Sequence, residues 1–194
     1  MKNPLDSVGS TITLGVLFAI IVMVLPQTPG GEFNQLGLGR WAHIVTGIFW
    51  IGLLYYFNVA QIPALAAANA DTGGPGGAGI IKYVAPRALL WFRWMALATW
   101  LTGGWLLGAR FVDAFTLQEG SVVIGIGAWL GTIMLFNVWV LIWPNQKKVI
   151  GIVEATAEEK AKARRTATLA SRTNFLLSFP MLLCMGGSAH GLPF

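Results

Sequence analysis

WAHIVTGIFWIGLLYYFNVAQI, from Trp41 to Ile62, contains no Asp, Glu, Lys or Arg. At about 1.5 Å of rise per residue, a helix of that length crosses a hydrocarbon layer about 30 Å thick. Four further stretches read the same way, at Val8 to Leu25, Ala88 to Leu107, Ser121 to Trp143 and Thr173 to His190. The pattern predicts an all-α fold: a polytopic integral membrane bundle of five transmembrane helices, one domain over residues 1–194, with a polar connection at 144–172. The first stretch follows Lys2, as a signal-peptide core would, but no small-x-small cleavage site precedes Pro26. It reads as a retained anchor.

Composition agrees, being 55% hydrophobic and only 11% charged, with a positive mean hydropathy. A soluble domain needs a charged surface, so lipid is the expected main solvent. A net charge of +5 would suit a nucleic-acid partner only on a basic face of a soluble fold. Here the distribution explains it. Lys2, Lys82, Arg87, Lys147, Lys148, Lys160, Lys162, Arg164, Arg165 and Arg172 fall on one side of the five spans, against Arg40 and Arg110 on the other. Short cytoplasmic loops retain Lys and Arg, so the N-terminus and the 144–172 loop are expected in the cytoplasm and the C-terminus in the periplasm. The implied location is a bacterial inner membrane, crossed several times.

The connections carry little chemistry. DTGGPGGAG, Asp71 to Gly79, lacks the Lys-Ser/Thr ending of a phosphate-binding loop and reads as a linker. Pro144 to Arg172 is rich in Ala, Lys, Arg and Glu, with Glu158 and Lys162 at i,i+4 spacing, and predicts a short polar helix leading into span five. No G-x-S-x-G, no H-E-x-x-H and no pair of carboxylates within a span is present. The acids Glu32, Asp113 and Glu119 fall in loops and read as solvated.

The chain has two histidines, and the topology puts both at one depth: His43 just inside the outer end of span two, His190 at the outer end of span five. Two neutral imidazoles at one level suit axial ligation of haem b, and also a copper site. With one cysteine, Cys184, there is no c-type attachment motif and no internal disulfide. His43 and His190 are therefore the candidate cofactor and metal ligands. Gly47, Trp50, Leu54, Phe57 and Gln61 continue the stripe below His43; Gly47 would leave clearance for a flat macrocycle and Trp50 would pack on it. Met181, Cys184 and Met185 are the soft groups a copper reading would draw on. Against a shared site stand the ordinary uses of such residues, helix approach at Gly and solvation of an interfacial His.

Other intramembrane polar groups have structural readings. Arg93 is close enough to the cytoplasmic end of span three to snorkel, with an anionic ligand as its functional alternative. Asn137, Asn58 and Gln61 are expected to hydrogen-bond to neighbouring helices. Gly127 and Gly131, with Gly125 nearby, predict a tight crossing on span four whose partner is internal or another subunit. Pro180 predicts a kink in span five.

At HIVTGIFWIGLLYYFN (His43 to Asn58), WFRWMALATWLTG (Trp91 to Gly103), LFNVWVLIWPNQKKV (Leu135 to Val149) and RTNFLLSFPMLLCM (Arg172 to Met185), the chain resembles the urate oxidase N-terminal family. That family forms the membrane domain of bacterial cytochrome-c-linked urate hydroxylases. More distantly, the H-x3-G-x2-W-x-G opening at His43 is similar to HemJ-type protoporphyrinogen oxidases and copper-resistance D proteins. The resemblance implies redox or metal chemistry centred on a membrane histidine. The cytochrome c domain of the urate enzymes has no counterpart in these residues, and Met95 stands where an acidic residue would follow W-F-K/R-W.

Together these observations point to a small membrane redox protein with haem b between spans two and five, working with other membrane subunits or a cytochrome. The rival is a cofactor-free accessory subunit of a respiratory or photosynthetic assembly. A transporter would need polar residues converging at mid-membrane, where there is little beyond Asn137.

Overall fold

The computed structural model describes residues 3–25 and 32–193, and every regular element among them is helical. Lys2 and Pro26, which bear on the anchor reading, lie outside the described residues. The chain divides into two units, Met1–Gln35 and Leu36–Phe194. The first contains α1, Val8–Val24, which starts where the Ser7 hydroxyl accepts from the Ser10 backbone N–H at 3.1 Å. Helix α1 has no polar face, and none of its side chains is buried.

The second unit contains α2 (Gln35–Ala70) from Leu36 onward, α3 (Ala85–Leu107), a short α4 (Phe111–Phe115), α5 (Val122–Val149) and α6 (Ala157–His190). Helices α2 and α5 are long and apolar enough to cross a membrane. The four long helices pack as an up-and-down bundle in which each touches two others. On α2, Phe57 meets Phe92 of α3 edge-on at 5.3 Å, and Tyr55 meets Phe175 of α6 at 4.9 Å. On α5, Trp139 meets Trp94 of α3 at 5.3 Å, and Thr132 accepts from the Trp100 indole at 2.9 Å. Trp50, Leu54, Phe92, Ala96, Met134, Val138 and Met181 fill the middle. Large apolar side chains such as Ile48, Val59, Leu101 and Leu176 remain exposed on the outside, the inside-out distribution that suits a lipid surround.

Two glycines of α5, Gly125 and Gly127, find partners within the chain, whereas a Cβ at Gly131 would meet nothing within 4 Å. A Cβ at Gly127 would stand 3.0 Å from the Cys184 Cβ of α6, and Gly125 lies against the Ala114 carbonyl of α4. The polar helix expected before span five and that span itself form one helix of 34 residues, which continues through Pro180. A capping box starts it: the Glu159 carboxylate accepts from the Thr156 backbone N–H at 2.8 Å, and the Thr156 hydroxyl accepts from the Glu159 N–H at 3.2 Å.

Three π turns occur among the described residues, at Tyr56–Gln61 within α2, Ile80–Val84 leading into α3 and Asn137–Ile142 within α5. Each lies just before a proline, at Pro63, Pro86 and Pro144. Proline has no N–H to donate, and its ring presses on the carbonyl four residues back. Shifting the preceding turn to i→i+5 bonds, as from the Ile62 N–H to the Phe57 carbonyl, lets the helix continue.

Candidate functional site

His43 is half-buried on α2 and turned toward α3. Its Nδ1 donates to the Thr99 carbonyl at 2.9 Å, with the Thr102 hydroxyl oxygen also at 3.2 Å. A carbonyl only accepts, so Nδ1 carries the proton and the neutral ring keeps its lone pair on Nε2. Thr102 holds its place by donating to the Ala98 carbonyl at 2.8 Å. Gly103 makes the room: a Cβ there would come within 3.0 Å of the imidazole Cε1. Thr99, Thr102 and Gly103 were not singled out from the sequence. Their signal was two hydroxyls at i,i+3 in an apolar span, with a glycine beside the second.

Gly47 faces α3 as well, where a Cβ would meet the Thr99 methyl at 3.7 Å, an ordinary contact. Trp50 is 2% exposed within the bundle core, and its indole N–H has no partner among the described residues. His190 is exposed at the end of α6. That end is anchored, because the Gly191 N–H donates to the Gly187 carbonyl at 2.9 Å and Leu192 folds back onto Gly187. Gly191 has φ +84°, a value open to glycine.

The α2–α6 register sets the level of the two histidines. Tyr55 accepts from the Ser178 hydroxyl at 3.1 Å between antiparallel helices. His43 lies twelve residues before the one and His190 twelve residues after the other, about 18 Å along either helix in the same direction. Their side chains are not joined: the contacts of His43 run to α3.

The copper candidates Cys184 and Met185 pack against Gly127, and Met181 belongs to the core. No group of three or more His, Cys, Asp or Glu side chains that could hold a metal ion occurs among the described residues. Arg93 stacks its guanidinium 3.8 Å from the centre of the Trp143 ring, so that cation is occupied by an aromatic face. Asn137 donates to the Asn174 side-chain carbonyl at 2.8 Å, and Asn174 donates to the Met134 backbone carbonyl at 2.9 Å, tying α5 to α6. Asn58 donates to the Ser171 hydroxyl of α6 at 2.9 Å.

Residues 109–193 match the family described as urate oxidase N-terminal. The matched stretch takes in α4, α5 and α6, with His190, and stops short of the helix carrying His43. No curated protein and no solved structure matches the chain.

Proposed function

We propose that this chain is a small membrane redox protein that binds haem b through His43 and exchanges electrons with a neighbouring membrane subunit or a cytochrome. In this reading α1, α2, α3, α5 and α6 are five spans of a bacterial inner membrane. The side bearing Lys147, Lys148 and Arg164 faces the cytoplasm, and His43 and His190 lie toward the periplasm. The positive-inside distribution supports that orientation.

The observation that carries the cofactor reading is the Nδ1 hydrogen bond of His43 to the Thr99 carbonyl. Histidines that ligate metals donate their second ring nitrogen in this way, which fixes the ring and strengthens the free nitrogen as a donor. The donor set present therefore fits a haem that His43 would hold through Nε2. His190, at the same level and with an exposed side chain, would be the second residue to hold it. The indole N–H of Trp50, two turns below His43 and unpartnered among the described residues, would serve a propionate carboxylate. Haem supplies one-electron exchange at its iron. The chain's own contribution is to hold the imidazole in one tautomer and to keep that level dry with apolar side chains.

The test is a pyridine haemochrome assay on detergent-purified wild-type protein, with helicity checked by circular dichroism. Haem b near one per chain is the expected result. Folded protein without haem overturns the reading and leaves the cofactor-free accessory subunit.

A further inference from the structure

The three π turns converge. Phe57 and Gln61 from the first, Ile81 from the second and Ile142 from the third face a cavity of about 340 Å³ at the end of the bundle opposite His43. Helix α6 closes it with Ser171 and, near its polar start, Arg164. A π turn widens a helix and displaces the side chains that would fill the centre, and such turns collect at functional sites. The volume is within the range of small-molecule sites.

One buried polar atom of this cavity is not satisfied by the protein. Gln61 is 9% exposed, and its side-chain carbonyl has no hydrogen-bond partner among the described residues. An unpaired buried amide is costly, so a binding partner that pairs with it gains what the fold lacks. Around Gln61 the walls are apolar and aromatic, with Phe57 and Phe92 set edge to face. The exposed Arg164 and the half-buried Gln146 add donors toward the basic end. A ligand that fits is uncharged, ring-shaped and lipid-soluble, with oxygens on opposite sides of the ring.

We propose that this cavity binds the head group of a membrane quinol or quinone. A quinol hydroxyl donates to the Gln61 carbonyl; for the quinone, the same amide turned over donates its N–H₂ to the ring carbonyl. The opposite ring oxygen accepts from Arg164 or Gln146. An acyl chain alone has nothing to offer Gln61, which separates this ligand from lipid. Gln61 lies eighteen residues from His43 on α2, about 27 Å away along the helix, so binding here needs no haem.

The experiment is equilibrium binding of decylubiquinol and decylubiquinone to the full chain in lipid nanodiscs, with lauroyl-lysophosphatidylglycerol as competitor. One saturable site for the quinol is expected, weakened about tenfold by Gln61→Leu, the worth of one good hydrogen bond. Filling the cavity by Ala85→Phe is expected to abolish binding, with helicity unchanged. Should Ala85→Phe fail to fold, Gln61→Leu alone still decides. Absence of saturable binding, equal affinity in Gln61→Leu, or full displacement by the lysolipid at matching concentration overturns the proposal. Haem content is read separately, so the two readings fail independently.

Discussion

Asn137 and Gln61 are both amides buried in the bundle, and the protein treats them differently. Asn137 donates to Asn174, which in turn donates to the Met134 carbonyl, and Asn174 is fully buried. Gln61 is nearly as buried but leaves its carbonyl unpaired beside a cavity. The first pair is a closed fastening between α5 and α6. The second is an open position that a bound molecule completes. His43 stands between these cases, with Nδ1 tied down by α3 and Nε2 left over. In a lipid-surrounded protein, polar atoms left unpaired after helix packing mark the places to look for ligands.

The contrast predicts opposite responses to the same kind of substitution. Asn174→Leu strands the Asn137 N–H₂, and is expected to cost roughly 1–3 kcal/mol in denaturant-induced unfolding in mixed micelles. Adding Asn137→Leu to it should recover part of that loss, because the stranded amide is gone. A smaller effect is expected at Thr102→Val, which removes one of the two acceptors of His43 Nδ1 and leaves the Thr99 carbonyl. Haem affinity should fall roughly tenfold, measured by haem transfer to apomyoglobin.

Gln61→Leu, tested without quinol, is expected to leave stability unchanged or raise it by up to about 1 kcal/mol, since it deletes an unpaired acceptor. A loss as large as that of Asn174→Leu would place Gln61 among the closed fastenings. The smallest effect is local and depends on pH. Hydrogen bonds from the Thr156 backbone, and then from its side chain, hold the exposed Glu159 carboxyl below its usual range. A depressed carboxyl stabilises the folded end above its unfolded value and loses that contribution as pH falls through the folded one. Amide exchange in the first turn of α6, corrected for intrinsic rates, should therefore show less protection in acid than at neutral pH. Glu159→Gln should flatten the difference.

The helices were legible because apolar length is a strong signal. Trp41 to Ile62 falls inside α2 and Ala88 to Leu107 inside α3, and Ser121 to Trp143 runs from the cap of α5 into it. Of the α5 glycines that announced a tight crossing, Gly127 meets α6 and Gly125 meets α4, while nothing approaches Gly131. Asn137 was expected to reach a neighbouring helix and does so. Helix α6 continues through Pro180, where a kink was expected. Less legible was anything that depends on the rotation of one helix against another. The stripe from His43 to Gln61 was visible, but not that its upper part faces α3 and its lower end opens on a cavity. Pro63, Pro86 and Pro144 were the overlooked signal for that cavity. Pro63 and Pro144 sit within α2 and α5 and Pro86 at the start of α3, each two residues after a π turn that bypasses the missing N–H.

The most direct test of the redox reading is the dithionite-reduced minus oxidised spectrum of the detergent-purified protein, compared with His43→Ala and His190→Ala. The account predicts a b-type signal in wild type that disappears in His43→Ala. In His190→Ala it should persist in weaker or altered form, because His43 alone is held in place by its neighbours. An unchanged b-type spectrum in a folded His43→Ala protein would contradict the account.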